Sequence, residues 1–488
     1  MDCCKLGEMA AFLRSAGFDL KFPFACVLPE GRLVCRRLLR LVPGKRLVAA
    51  GEWEGRPAVV KFFLDPVKGR RHFRREHRGL GALKRAGLAV PEVWLGKSAG
   101  AGGVSLLILE ELPAAATLFD LWREAAGAEE RRERLAAVVA VIAAHHRAGL
   151  VQSDIHWGNF LFSGGRVYTI DGDAVDDRGA GRELGREKSL ASFALFLAEP
   201  GPGIDEHLKY LWEKYCVGRG WRPEAGEVER IAGLVKDHRF HKAEKFVAKA
   251  GRSCTAVVAR RNETGLLLAE RSSLTPELED FLSRPDEFMA AGKVLKAGNS
   301  ATVVKVRNGD RDLVVKRYNI KNFGHALKRG LRPSRAWHSW RNAQRLRWWG
   351  IATPKPLAML ESRIAGKLRS RAWFISEYVA GEAASDYLPG LDPGGGELAG
   401  WLEQFAELLK RLYELRITHG DFKATNFLCG ADGRLYLIDL DALRSWKRPG
   451  PAFKKAVARD HRRLLANWGK HSHLEMSFSE MIEKLMAL

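Results

Sequence analysis

The chain writes Asp-x-x-x-x-Asn-Phe-Leu twice, as "VQSDIHWGNFLF" from Val151 to Phe162 and as "ITHGDFKATNFL" from Ile417 to Leu428. Each copy runs on into Ile-Asp-x-Asp, at Ile170 to Asp173 and at Ile438 to Asp441. Asp154 and Asp421 stand 267 residues apart and Asp171 and Asp439 stand 268 apart, close to half of a 488-residue chain. An internal duplication is therefore the first constraint, and a chain of this length has room for two cores of ordinary size.

The halves can be read against each other. Upstream of each loop lies a strand-like run with one central lysine, "PAVVKFF" with Lys61 and "DLVVKRY" with Lys316. Each run follows another β-rich segment with turn residues, as in a hairpin. A basic helical stretch comes next and ends in "AGLAVPEV" or "WGIATPKP", where glycine and proline stop a helix ahead of a strand. The apolar strands "SLLILEEL" and "AWFISEYV" follow, closing on Glu110, Glu111, Glu377 and Tyr378. A helix then leads into the polar loop. Each copy is predicted to be α+β, a small β-rich lobe joined to a helical one. The weakly patterned Glu263 to Pro285 marks the expected boundary, giving domains 1–270 and 271–488.

The spacing suits phosphoryl transfer, which needs a carboxylate at the acceptor hydroxyl, oxygen ligands for Mg²⁺ and a cation on the donor phosphates. Asp154 and Asp421 are the candidates to orient or deprotonate the acceptor. Asn159, Asn426, Asp171 and Asp439 are the candidate metal ligands, and Lys61 and Lys316 the candidate phosphate contacts. Glu76, fifteen residues after Lys61, is placed to pair with that lysine. Asp173 and Asp441 share a side of an extended segment with Asp171 and Asp439, as second metal contacts or as loop hydrogen-bond acceptors.

On these motifs, and on "KRYNIKNFGHALKRGLRPSRAWHSWRNAQRL" in the second half, the chain resembles a tandem of protein-kinase-like domains of the lipopolysaccharide core kinase family, the Kdo/heptose kinases. The resemblance implies ATP and Mg²⁺ as cofactors and an inner-core sugar of lipopolysaccharide as acceptor. It further implies work at the cytoplasmic face of the inner membrane and a phosphate-contacting role for Lys423. Glu110, Glu111, Glu377 and Tyr378 would by the same analogy line the adenine side. The pattern also has departures. No acid lies between Leu313 and Leu360, so Lys316 has no counterpart of Glu76, and Ser339 falls at that place. Gln152 and His156 stand in the first copy where His419 and Lys423 stand in the second. "KAGNSATVVKV" and "VAAGEWEGR" are only loose glycine-rich loops. A regulatory scaffold with one or both halves inactive, or a kinase for another acceptor, is the alternative.

A net charge of +22 points to phosphate-bearing partners. The stretch with Lys321, Lys328, Arg329, Arg332, Arg335, Arg341 and Arg345, interleaved with Trp337, Trp340, Trp348 and Trp349, is a candidate contact for phosphorylated glycan or an anionic membrane surface. The alternative is a solvated helix face with core tryptophans. No nucleic-acid-binding module is recognisable, so no nucleic acid is expected. "LAAVVAVIAA" is too short to span a membrane and reads as a buried helix, with His145 and His146 as packing residues. Seven scattered cysteines without a CxxC pair argue against disulfides or zinc, and an N-terminus carrying Asp2 and Glu8 does not read as a secretory signal. A cytoplasmic protein is expected.

Overall fold

A computed structural model describes residues 6–18, 20–98, 103–199, 203–298, 300–318, 333–364 and 368–487. The chain divides into two compact units, Met1–Arg239 and Phe240–Leu488. The first opens with the helix Leu6–Ser15 and an antiparallel sheet of six strands, in the order Phe24–Leu28, Gly31–Val42, Arg46–Trp53, Arg56–Phe63, Ser105–Glu110, Val93–Lys97. Alternation along Arg56–Phe63 sorts its side chains between two faces. Val60 and Phe62 join Met9, Leu13, Phe24 and Ile108 under the N-terminal helix. Lys61 and Phe63 point the other way, where Phe63 packs with Phe73, Leu80, Leu107 and Leu109.

The helix Gly69–Arg85 covers that second face. Its buried residues Phe73, Glu76, Leu80 and Leu83 recur at three- and four-residue steps, so Glu76 occupies a position that helical periodicity reserves for the core. The helical part of the unit gathers Val138, Val139, Ile142, Phe160, Phe193, Trp212 and Tyr215 into a separate core.

The second unit repeats this order on a sheet of seven strands: Val257–Asn262, Gly265–Glu270, Pro356–Ile364, Leu368–Glu377, Arg311–Tyr318, Ala301–Asn308, Lys293–Ala297. Helix Arg335–Trp348 takes the place of Gly69–Arg85, and Phe405, Leu409, Phe422, Phe427, Leu464 and Phe478 lie in the helical core. The boundary expected at 270/271 differs from the division in the structure. The hairpin Val257–Glu270 pairs with Pro356–Ile364 and so belongs to the second unit. The stretch that looked weakly patterned holds the strand Gly265–Glu270 and the short helix Pro276–Ser283, and a second short helix, Pro285–Ala291, starts at its end; each helix has a proline in its first turn, and the Thr275 hydroxyl caps the former. Helices of one or two turns leave little periodicity for a sequence window to detect.

Strand order also moves one expected loop. In the second unit Lys293–Ala297 and Ala301–Asn308 flank Gly298, upstream of the Lys316 strand. The matching turn of the first unit is Pro43–Lys45, between Gly31–Val42 and Arg46–Trp53, with Gly44 at φ 66°. "VAAGEWEGR" instead contributes the strand Arg46–Trp53 and the next hairpin turn.

The described part of the basic stretch is not a free patch. Arg335 pairs with Asp441, Arg345 with Glu244 and Arg347 with Glu270, and Trp340 is fully buried. Lys321, Lys328, Arg329 and Arg332 lie outside the described residues.

His145 and His146 are packing residues, as expected. His145 meets the Thr169 hydroxyl at 3.2 Å, and His146 sits between Tyr215 at 2.7 Å and Ser192 at 3.0 Å. Burial holds His145 down at about 4 and His146 at about 3. Both are neutral in the fold, whereas an unfolded chain protonates them below pH about 6.5. Their contribution is complete above that pH and is lost as the pH falls toward 4. Urea unfolding at pH 5 should therefore show a loss on the order of 2 kcal/mol per histidine relative to pH 7.5, and His146→Gln should flatten the dependence.

Candidate active site

Each lysine-bearing strand delivers its ammonium to the segment Ile-Asp-x-Asp, and the backbone around that meeting point is bonded the same way in both units. The Asn159 side chain donates to the Asp154 carbonyl at 2.9 Å, and Asn426 donates to the Asp421 carbonyl at 2.7 Å. Ile170 N–H donates to the Asn159 carbonyl at 3.1 Å, and Ile438 N–H to that of Asn426 at 2.9 Å. Each asparagine is thereby fixed next to the aspartate that follows the isoleucine. Because its amide nitrogen is committed to the loop, its side-chain oxygen faces away from that bond. The opposite end of the lysine strand also matches: Glu111 N–H reaches the Pro57 carbonyl at 3.2 Å, and Tyr378 N–H that of Asp312 at 2.9 Å.

In the first unit Lys61 Nζ is bonded to the Glu76 carboxylate and donates to the Ile170 carbonyl at 2.8 Å. Glu76 is wholly buried, and its oxygens also accept from Gly172 N–H at 3.4 Å and Asp173 N–H at 3.2 Å. Burial pushes its carboxyl upward while the Lys61 ammonium pulls against that shift. Burial also opposes ionisation of Asp171, but Lys61 and the hydrogen bond with Glu76 outweigh it and hold its pKa below the ordinary value. Asp173 is not free for a metal, since Arg46 at 2.9 Å, His72 at 2.8 Å and Arg75 at 3.3 Å surround its carboxylate.

In the second unit Lys316 Nζ is bonded to Asp439 and lies 3.5 Å from Asp441, whose carboxylate also takes Arg335 at 2.7 Å. The expected absence of a helix acid holds, yet the lysine is paired, from the Ile-Asp-Leu-Asp segment. Burial works against ionisation of Asp439, and Lys316 more than compensates, leaving its pKa lowered. Asp439 adopts the left-handed region, φ 58°, which aspartate tolerates better than most residues.

The loops around Asp154 and Asp421 diverge as well. Asp421 meets Lys423 at 3.1 Å and Arg463 at 3.6 Å. Among the described residues no cation pairs with the exposed Asp154, and His156 at the position of Lys423 turns back to accept from Gly158 N–H at 3.1 Å. Gln152 does stand in for His419: its amide donates to the Asp171 carbonyl at 3.0 Å, as His419 Nε2 does to Ile438 at 2.9 Å. Sequence reading missed Asp460 and Arg463 on the helix Pro451–Leu465. Asp460 accepts from His419 N–H at 2.7 Å and Gly420 N–H at 3.1 Å, fixing the backbone before Asp421. A charged residue on a helical repeat carries no linear sign of such a partner, whereas Asp173 and Asp441 were visible from their spacing.

Among the described residues no group of three or more His, Cys, Asp or Glu side chains is gathered as a metal site. Asparagine and aspartate side-chain oxygens are hard donors, and they fit Mg²⁺ completed by phosphate and water oxygens.

Helix docking in the first unit depends on two glycines. A Cβ on Gly79 would stand 2.1 Å from the Gly172 carbonyl oxygen, and one on Gly172 would stand 2.3 Å from that of Glu76. Both obstacles are backbone. Gly79→Ala should lower stability by about 1–3 kcal/mol in urea unfolding, because helix and segment must separate.

No curated protein matches the chain significantly. A family model, Lipopolysaccharide kinase (Kdo/WaaP) family, matches residues 62–192 and 290–480, taking in Glu76, Asp154, Asn159 and Asp171 in the first segment and Lys316, Asp421, Lys423, Asn426 and Asp439 in the second. That match covers more than half of the chain and falls on both copies of the bonded loop, so the chain belongs to the lipopolysaccharide kinase (Kdo/WaaP) family.

Proposed function

We propose that the chain transfers a phosphoryl group from ATP, with Mg²⁺, to a hydroxyl of an inner-core lipopolysaccharide sugar, heptose or Kdo. Both units act as kinase-like domains, each a β-rich lobe and a helical lobe. The observation that carries this is the repeated bond from the asparagine side chain to the aspartate carbonyl, coupled through the isoleucine N–H to the next aspartate. Two loops preserved to that level in one chain support two working sites.

Asp154 and Asp421 orient the acceptor hydroxyl and take its proton as its oxygen bonds to the γ-phosphorus and the bond from that phosphorus to the bridging oxygen breaks, releasing ADP. Lys61 and Lys316 hold the donor phosphates. Asn159 with Asp171, and Asn426 with Asp439, present the oxygens for Mg²⁺. Mg²⁺, when bound, supplies neutralisation of the donor phosphates. Lys423 and Arg463, beside Asp421, steady charge on the group in transit. Among the described residues no helix is long and apolar enough to cross a membrane. A glycolipid acceptor then calls for peripheral contact with the anionic cytoplasmic face of the inner membrane.

One observation favours a second reading, in which the second unit is a scaffold: Lys316 leans on Asp439, a carboxylate needed for metal. The two readings separate by experiment. Asp421→Ala should remove the second unit's product and Asp154→Ala the first unit's, each by about 10²- to 10⁴-fold with folding retained. Mass spectrometry of core oligosaccharide from cells lacking the gene should show the loss of phosphate from core sugars. Unchanged products in the Asp154→Ala/Asp421→Ala double variant would remove both carboxylates from the mechanism.

Nucleotide affinity should differ between the units, because Glu76 spends nothing on metal while Asp439 must serve two cations. Calorimetry with Mg·ATP on the full chain should resolve two sites, the tighter lost in Lys61→Met and the weaker in Lys316→Met. A single site, insensitive to Lys316→Met, would leave the second unit a scaffold.

A further inference from the structure

We propose that Asp441, held by Arg335, is the positioning residue for Lys316, doing in the second unit what Glu76 does for Lys61 in the first. The inference rests on the reading of Lys316 as the lysine that binds donor phosphates. Orientation of that lysine then comes from the segment that carries the metal-binding aspartate, and not from the helix.

The two units differ by a coordinated set of exchanges around the same geometry. Where Glu76 reaches its lysine, Ser339 is buried and its hydroxyl meets the Tyr318 hydroxyl at 2.8 Å. Phe63, with no hydroxyl, occupies the place of Tyr318 in the first unit. The Ser–Tyr pair thus closes the space a helix carboxylate would need. Where Gly79 and Gly172 let helix and segment touch, Asn342 and Leu440 stand, and the Asn342 amide ties helix to segment by donating to the Leu440 carbonyl at 2.8 Å and the Leu443 carbonyl at 3.0 Å. The helix is docked, but through an uncharged group that offers the lysine nothing.

The surroundings of the second aspartate change in the complementary sense. Asp173 is enclosed by Arg46, His72 and Arg75. At the corresponding places around Asp441 stand Ala301, Arg335 and His338, and Arg335 meets the carboxylate at 2.7 Å and 2.9 Å. The Arg335 guanidinium fixes Asp441 from the helix side, and the same carboxylate lies 3.5 Å from Lys316 Nζ with its side chain only 8% exposed. Lys316 and Arg335 against Asp439 and Asp441 make a charge-balanced quartet. When Asp439 turns to another cation, Asp441 is the carboxylate left within reach of Lys316.

The test uses the full chain carrying Lys61→Met, so that Mg·ATP titrated in a calorimeter reports the second unit. Asp441→Asn should weaken binding by about tenfold, the range for loss of a charge-assisted contact. Either Asp441→Glu, or the graft Ser339→Glu with Tyr318→Phe that returns an acid to the helix, should bring the Asp441→Asn affinity back to within about threefold of the parent. In the protein without nucleotide, urea unfolding of Lys316→Met, Asp441→Asn and the double variant should be non-additive, which reads the contact independently of ATP. Undiminished Mg·ATP binding in Asp441→Asn overturns the proposal while leaving the kinase reading of the unit intact. Weakened binding that neither Asp441→Glu nor the graft restores makes Asp441 merely structural and also overturns it. If the Lys61→Met parent binds no Mg·ATP, the nucleotide reading of the second unit fails and this inference fails with it.

Discussion

A lysine ammonium carried on a sheet strand beneath a helix has to be matched by a carboxylate there, because an unpaired charge at that depth costs several kcal/mol. Much else in each unit follows from where that carboxylate comes from. In the first unit it comes from the helix, and Glu76 is wholly buried, so helix, strand and the Ile-Asp-Gly-Asp segment must close to van der Waals contact. Glycines at 79 and 172 are the steric consequence. In the second unit the acid comes from the segment, and an asparagine amide and a leucine stand where the first unit has its two glycines.

The source of the carboxylate also decides what the remaining charges do. With Glu76 on Lys61, Asp171 is left to other work and Asp173 is enclosed by cations that tie the helix and the strand Arg46–Trp53 to the segment. With no helix acid, Asp439 and Asp441 both lean on Lys316, and Arg335 supplies the second positive charge that keeps two carboxylates from facing one ammonium. Burying two like charges against a single opposite one would raise the pKa of one of them, so the arginine is part of the electrostatic solution and not an ornament of the surface. The basic stretch that reads as a membrane patch in the sequence thus includes residues needed inside the fold.

The duplication, the order of strands and helices, and the residues Lys61, Glu76, Asp154, Asn159, Asp171, Lys316, Asp421, Asn426 and Asp439 were legible because each sits at a fixed offset from apolar runs of clear period. Glu76 was legible twice over, from its distance to Lys61 and from its place in a buried helical stripe. What escaped has a common cause. Asp460 and Arg463 act on the loop from a helix 39 to 42 residues downstream of Asp421, and no spacing rule links them. The pairing of Lys316 was missed because the acid was sought on the helix, while the sheet and the Ile438–Asp441 segment supplied it from 123 residues away. The boundary was misplaced because a hairpin that completes a sheet by pairing with Pro356–Ile364 has no local sign of which sheet it will join.

Comparing donor and acceptor sides of the two units gives opposite asymmetries. The first unit has the fuller lysine site and, among the described residues, no cation on Asp154, since His156 is spent on its own turn. The second has the more elaborate loop around Asp421, with Asp460 gripping the backbone and Lys423 and Arg463 beside the carboxylate, and a lysine that must share its counter-charge. Here each unit is strengthened where the other is spare. In the first unit the lysine has a carboxylate of its own while Asp154 meets no cation among the described residues, and in the second Asp421 meets two cations while the lysine shares its carboxylates with Arg335.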